Sequence, residues 1–183
     1  MQFKLRSTVS NNFTKTLPII FGTIAVELIV SMAIIAILLP KILNAMGLHP
    51  DYDAGQKYNL PGKKALVVTT SHGVLSKPDE TTGKPTGVFG SEMTVPYYEF
   101  LDAGMQVDVA SIKGGEIPIA PQSFYYFLIT PEDKRFLKDL VFQDKIKNSP
   151  SINDVDITDY DLIFFVGGWG PSYDFAQSKR LAE

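Results

Sequence analysis

The chain has 183 residues, 45% of them hydrophobic and 20% charged, a balance typical of folded proteins and not of disordered or fibrous ones. Its net charge of -3 and pI near 5.4 give no electrostatic reason to expect nucleic acid as a partner. Cysteine is absent, which excludes disulfides and thiolate ligands within these residues, and neither of the two histidines has partners at metal-ligand spacing, so we predict no metal site.

The N-terminal part of the chain predicts a membrane anchor. Residues 1–16 are a polar segment, and Leu17–Leu39 is then an apolar run with a single charge. A helix of this length spans the ~30 Å hydrocarbon core of a bilayer. A cleaved signal peptide is the alternative, but its apolar region is usually only about 7–15 residues long. We therefore predict a single uncleaved transmembrane helix over residues 17–39.

Charges in and around this span bear on its orientation and contacts. More Lys and Arg residues precede the span than directly follow it, so the positive-inside rule predicts a cytoplasmic N-terminus and an extracytoplasmic C-terminal domain. Glu27 lies near the middle of the span, where an ionised carboxylate is costly. Two interpretations stay open for Glu27: a contact with another helix, or a protonated side chain tolerated in an apolar helix.

Beyond a tether at residues 40–60, the pattern from 61 to 183 is that of an α/β domain. Lys64–Thr70 is a continuous β-branched run, as expected for a strand buried on both faces of a parallel sheet. Gln106–Ile112 is predicted as the next strand and Asp161–Val166 as another doubly buried strand. Helical patterns separate these strands, so the predicted architecture is a parallel α/β sandwich.

The first helix of this domain is predicted after a glycine-rich loop. Val95, Tyr98, Leu101 and Met105 would form its apolar stripe. Ser91 or Thr94 can cap the start of the helix, and Pro96, which is best tolerated in a first turn, favours the later start.

A second helix is predicted to begin at Thr130. Thr130 can cap the helix, Pro131 suits its first position, and the acids that follow favour the positive end of the helix dipole. Four apolar residues are then expected to form its buried stripe: Phe136, Leu137, Leu140 and Val141.

Candidate site residues follow the predicted strands, because ligands of an open parallel sheet bind at the carboxyl ends of its strands. Glu92 is a candidate general acid or base, or else an ordinary first-turn acid favoured by the helix dipole. Gly167 and Gly168 expose backbone N–H groups that can hold an anion, or else form a simple glycine turn. His72 is interpreted as a residue of the pocket rim.

Two stretches resemble a known family: TTGKPTGVFGSEMTVPYYEFLDAGMQVDVASIKGGEIPIAPQS and YDLIFFVGGWGPSYDF. They are similar to the PfpI-type, class I glutamine amidotransferase-like superfamily, and within it to the glyoxalase III and deglycase-like branch. The resemblance covers about Pro61–Glu183. It implies a flavodoxin-like fold, thiol-dependent action on small reactive carbonyls such as methylglyoxal, no cofactor, and a tendency to form homodimers.

The resemblance also assigns roles to individual residues. Glu92 matches the glutamate that contacts the nucleophilic thiol, and residues 167–170 match a Gly-Gly-His-Gly turn that helps form an oxyanion hole. Trp169 stands where that turn has histidine, so it is assigned only to the pocket rim. In the family, the nucleophilic cysteine and its histidine follow the helix that begins here at Ser172. Those residues are therefore expected to lie beyond Glu183, and the domain at 61–183 to be partial.

Three hypotheses of different classes follow. The chain is part of a membrane-tethered thiol glyoxalase or deglycase, with a small carbonyl compound as substrate and membrane lipid around its anchor. Alternatively, it is a non-catalytic membrane-anchored binding or chaperone-like module, or an inactive truncated gene product.

Overall fold

The computed structural model describes residues 3–46, 57–126 and 128–183, and in its first helix it describes side chains from residue 18 onward. The chain divides into two compact units, Met1–Ala54 and Gly55–Glu183. The predicted tether at residues 40–60 lies partly outside the described residues, because positions 47–56 are not among them. The domain boundaries at residues 16, 39 and 60 stay predictions.

The first unit contains one long helix, α1, which runs from Phe3 to Ala45. It extends beyond the predicted span in both directions and contains Pro18 and Pro40. Its segment Pro18–Ala45 comprises 28 residues with a mean hydropathy of 2.5 in its most apolar window, and none of that window is buried. By length and composition the segment is able to cross a membrane.

The second unit alternates strands and helices along the chain. Its strands are β1 (Lys64–Thr69), β2 (Val74–Leu75), β3 (Lys84–Pro85), β4 (Gln106–Ser111) and β5 (Leu162–Phe165). Its α-helices are α2 (Gly90–Asp102), α3 (Pro131–Phe136), α4 (Leu140–Lys147), α5 (Pro171–Asp174) and α6 (Lys179–Ala182). Short 3-10 turns lie at Pro121–Phe124, Ile152–Asp154, Ile157–Asp159 and Phe175–Gln177.

A parallel sheet of order β4-β1-β5 forms the centre of this unit. Ala65 of β1 pairs with Val107 on one side and Leu162 on the other. Residues 65–69 of β1 are fully buried because both of their neighbours are strands and apolar clusters cover both faces. The predicted parallel α/β architecture is therefore confirmed.

The prediction that the strand at Asp161–Val166, which is β5 in the structure, is buried on both faces is wrong. Leu162 and Phe164 pack against the core cluster on one face of β5. On the other face, Ile163 is 37% exposed and Phe165 is 51% exposed. The reason is position, since β5 lies at the edge of the described sheet and strand side chains alternate between the two faces.

Helix α2 begins earlier than the sequence suggests, and neither predicted cap caps it. It starts at Gly90, and the backbone N–H of Gly90 donates to the Ser123 hydroxyl at 2.8 Å. The Thr94 hydroxyl instead donates to the buried carboxylate of Asp133 at 2.7 Å. These long-range bonds support a first turn that local capping rules do not predict, and Pro96 therefore lies inside the helix.

The buried stripe predicted for the helix after Thr130 is also wrong, although its start is confirmed. Thr130 and Asp133 form a reciprocal capping box around Pro131. Helix α3 ends at Phe136, and the Asp139 carboxylate caps a separate helix, α4. Only Phe136 of the four stripe residues is buried, while Leu137, Leu140 and Val141 are 50%, 77% and 68% exposed.

We expect Asp133→Ala to lower the free energy of unfolding by about 2–6 kcal/mol, since it leaves two buried donors without a partner and each costs about 1–3 kcal/mol. The Asp133 carboxylate accepts hydrogen bonds from the Thr94 hydroxyl and the Thr130 N–H, and its side chain is fully buried. Urea unfolding of the full chain in detergent, followed by the fluorescence of the single tryptophan, measures the change.

Glu132→Ala is the matched control, because Glu132 occupies the same first turn as Asp133. Its loss should stay below about 1 kcal/mol, the usual size of a helix-dipole interaction. Equal losses in the two variants would contradict the buried hydrogen-bond network.

Candidate functional site

The carboxyl ends of β1, β4 and β5 meet at one edge of the sheet, because the three strands are parallel. The segments that leave these ends are residues 70–73, 112–115 and 166–170. The backbone N–H of Ile112 donates to Thr69 at 3.2 Å, and that of Val166 donates to Val68 at 3.0 Å. This edge, formed by the three segments, is called the rim below, and it is where an open α/β sheet binds its ligands.

Glu92 reaches the rim from the first turn of α2. Its carboxylate lies against Gly167, since a methyl group on Gly167 would stand 1.8 Å from Oε2 of Glu92. The side chain is exposed, so the carboxylate is open to solvent and to a small ligand. The structure therefore brings together two of the residues singled out by sequence, which lie 75 positions apart.

Backbone hydrogen bonds hold the start of α2 against the turn after β5. The N–H of Phe89 donates to the Gly167 carbonyl at 3.3 Å, and the N–H of Gly170 donates to the Gly87 carbonyl at 3.0 Å. Because backbone atoms alone form these bonds, they position Glu92 without occupying its side chain.

Gly168 adopts a conformation that favours glycine, with φ of +119°. A Cβ there would stand 2.6 Å from the Phe89 nitrogen and 2.8 Å from the Gly87 carbonyl oxygen, so the close approach also requires glycine. Within the described part of the chain, the N–H groups of Gly167 and Gly168 donate no hydrogen bond. Such groups beside a carboxylate can stabilise a developing oxyanion.

His72 also lies on the rim, but its ring is engaged. The imidazole stacks on Tyr173 with 4.1 Å between ring centroids, and its Nε2 donates to the Val74 carbonyl at 2.5 Å. That bond identifies the Nε2–H tautomer for a neutral ring. His72 therefore forms a wall of the rim. Trp169, on the glycine turn, is 59% exposed.

Asp174 lies in α5 and contacts the rim, a role that the sequence analysis did not predict. Its carboxylate accepts from the Thr70 hydroxyl and from the backbone N–H of Ser71, both at 2.8 Å. Asp174 thus connects α5 to the end of β1 across more than 100 positions. Its sequence signal is an acid in the first turn after Pro171, which is common at surface helices and so does not predict this contact.

The described residues contain no group of three or more metal-ligating side chains that could hold a metal ion. The chemistry that the rim itself offers is proton transfer by one carboxylate, next to backbone donors that can polarise a carbonyl.

Comparison with known proteins relates this chain to a class of enzymes. A glutathione-independent glyoxalase of Schizosaccharomyces pombe is 30% identical over 122 residues, which are 66% of this chain and 49% of that protein. The solved structure of glyoxalase III from Candida albicans is 30% identical with a TM-score of 0.56 and covers 65% of this chain. The homologues of this chain are glutathione-independent glyoxalases.

This homology confirms the PfpI-type resemblance, and the parallel α/β fold matches the glyoxalase III structure. The Rapid Encystment Protein 24 KDa of Francisella tularensis is also similar, at 40% identity and a TM-score of 0.58 over 64% of this chain and 50% of its own. No family model matches the chain. The chain spans about half the length of the curated glyoxalases that it matches.

Substituting alanine for each of two rim glycines should change the free energy of unfolding by different amounts. Gly170→Ala is expected to lower the free energy of unfolding by about 1–3 kcal/mol, as overpacking usually does. The added methyl would stand 2.5 Å from Cγ2 of Thr70 and 2.6 Å from the His72 carbonyl oxygen, which is backbone and cannot swing away.

Gly167→Ala should cost less than about 1 kcal/mol, since its methyl meets the end of a flexible side chain, Glu92. Urea unfolding followed by Trp169 fluorescence compares the two variants. A larger loss for Gly167→Ala than for Gly170→Ala would contradict the rim geometry.

Proposed function

We propose that the α/β unit provides the carboxylate and the backbone donors of a glyoxalase-type site for small reactive carbonyls such as methylglyoxal. The observation that carries this proposal is the contact between the Glu92 carboxylate and Gly167 at the carboxyl edge of the sheet. The homology to glutathione-independent glyoxalases supports the same chemistry. Deglycase-like action on related carbonyl adducts is the closest variant of it.

Glu92 and the glycine turn suit this reaction. Converting a 2-oxoaldehyde to a 2-hydroxy acid adds one water and moves hydrogen between adjacent carbons, with no net oxidation. The step needs a group that removes a proton from one carbon and returns it to the next, which a positioned carboxylate can do. It also needs donors for the oxygen that gains negative charge, and the N–H groups of Gly167 and Gly168 are available for this.

The nucleophilic thiol that the family resemblance implies is not among these 183 residues, since the sequence contains no cysteine. We therefore propose that Glu92 and Gly168 act together with a thiol supplied by further polypeptide. The purified 183-residue chain alone should leave methylglyoxal unchanged.

Glu92→Gln should abolish most of the activity that depends on this protein. We expect glutathione-free consumption of methylglyoxal by membranes of the source organism to fall by about 10²- to 10⁴-fold, the usual contribution of a general acid or base. The gene is replaced at its own locus, and the background rate of a deletion strain is subtracted.

Glu99→Gln is the matched control, because Glu99 is an exposed glutamate on the same helix. Its rate should match that of the unmodified protein. Membranes with no activity above the deletion strain, or full activity after Glu92→Gln, would refute the enzymatic proposal and favour a binding module.

We further propose that α1 anchors the protein in a membrane, with the N-terminus on the cytoplasmic side and the α/β unit on the other. Support comes from the 28-residue apolar segment Pro18–Ala45, whose side chains are almost all exposed. Contact between such an apolar surface and water is unfavourable, whereas contact with lipid is favourable. Basic residues are more numerous before the span than directly after it.

The anchor proposal predicts that the protein stays in the membrane pellet after extraction with alkaline carbonate and keeps its intact N-terminus by mass spectrometry. Ile29→Arg should weaken this retention, because a charge near the centre of a span costs about 2.5–3.5 kcal/mol. Gln2→Arg adds the same charge outside the span and serves as the control. Release of the unmodified protein, or a cleaved N-terminus, would contradict an uncleaved anchor.

A further inference from the structure

Three aliphatic side chains project into solvent in the turn between α3 and α4 and at the start of α4. Leu137, Leu140 and Val141 are 50%, 77% and 68% exposed, and they are called the aliphatic corner below. They lie on no part of the rim. Large apolar residues grouped at one surface position usually mark an interaction site.

The aliphatic corner is an ordered part of the fold. The Asp139 carboxylate accepts from the N–H groups of Val141 and Phe142 at 3.1 and 3.0 Å, which fixes the turn between the two helices. Phe142 is fully buried and stacks on Tyr97 with 3.5 Å between ring centroids. Leu140 and Val141 are therefore presented by a helix that is itself secured to the core, and Leu137 lies in the turn before that helix.

Lysines lie close to the aliphatic corner in the chain. Residues 131–147, which include α3 and α4, contain five Lys or Arg and four Asp or Glu, so this segment carries +1 in a chain whose net charge is -3. Arg135 pairs with Asp102, and Lys145 lies 3.4 Å from Asp108. The remaining lysines, Lys134, Lys138 and Lys147, are exposed and form no ion pair with any described residue.

An apolar groove adjoins the aliphatic corner. Leu137 lines it together with Ile117, Ile119, Phe124 and Ile146, and one acid and one base border it, Glu116 and Lys147. Apolar surface therefore continues from the corner into the groove.

We propose that the α/β unit docks on a bilayer containing anionic lipid, with the aliphatic corner inserted at the headgroup boundary. Exposed aliphatic residues flanked by lysines are the composition of interfacial membrane helices. An anionic surface attracts each lysine that lies near it. The inference rests on the proposed anchor, which limits how far the α/β unit can lie from the bilayer. Lys57 follows Ala45 by 12 positions, and a stretch of chain of that length spans at most about 40 Å.

A second copy of the chain is a less suitable occupant. A two-fold contact places the same patch on both sides of the interface, so the unpaired lysines of the two copies would face each other. Like charges opposed across an interface are unfavourable, whereas an anionic membrane complements them.

Because the chain contains no cysteine, one introduced cysteine can carry a fluorescent label at a single chosen position, which tests the docking. The full chain with Leu140→Cys carries an environment-sensitive fluorophore and is placed in vesicles of phosphatidylcholine with phosphatidylglycerol, in vesicles of phosphatidylcholine alone, and in non-ionic detergent. We expect a blue shift and quenching by nitroxide-labelled lipid in the anionic vesicles, both reduced by salt. Glu99→Cys, an exposed site on α2, is the control and should show neither.

Replacing two of the lysines provides a second measurement. Lys134→Gln with Lys138→Gln should lower the ratio of docked to undocked protein about 30-fold, from the contribution of two lysines at an anionic surface. Unfolding in detergent checks that the double variant keeps its fold.

Vesicle flotation separates failure of the docking from failure of the anchor. If the chain floats with the vesicles and the label at position 140 behaves as it does in detergent, the docking is refuted and the anchor stands. A blue shift that grows with protein density and does not depend on anionic lipid identifies a second copy as the occupant and also refutes the docking. If the chain does not float, both proposals fail.

Discussion

The fold of the α/β unit depends on burying one strand completely. Residues 65–69 of β1 have no solvent exposure, with β4 and β5 as neighbours and an apolar cluster on each face. Because β1 is parallel to both neighbours, the three carboxyl ends meet at one edge, and the segments that follow them form the rim. At the opposite end, the Asp161 carboxylate accepts from the Lys64 N–H and pairs with Lys63, which helps hold β5 in register.

Close backbone approach then builds the candidate site on that edge. Gly167 leaves room for the Glu92 carboxylate, and Gly168 leaves room for the backbone before α2. Any side chain at these positions would separate the acid from the N–H groups beside it. The site therefore depends on glycine for contact and on backbone hydrogen bonds for position, while the Glu92 side chain remains exposed to solvent.

The same unit also presents surface that the rim does not use. Helix α3 ends at Phe136 and the Asp139 cap starts a new helix, and Leu137, Leu140 and Val141 around this break are exposed. Residues that resemble a core stripe in the sequence therefore form an exposed surface, for which we propose an anionic membrane as the partner.

The sequence by itself determined the features whose causes are local. Three features were readable because propensity, capping and hydropathy act over a few residues: the β-branched run of β1, the helix start at Thr130 and Pro131, and the apolar segment at the N-terminus. The motifs around Glu92 and Gly167 were readable by their resemblance to a known family. Only the tertiary structure decided which face of β5 is covered, that Ser123 and Asp133 support an early start for α2, and that Asp174 reaches Thr70. These depend on partners 30 to 100 positions away, and nothing in the pattern around a residue records which distant group will cover or pair with it.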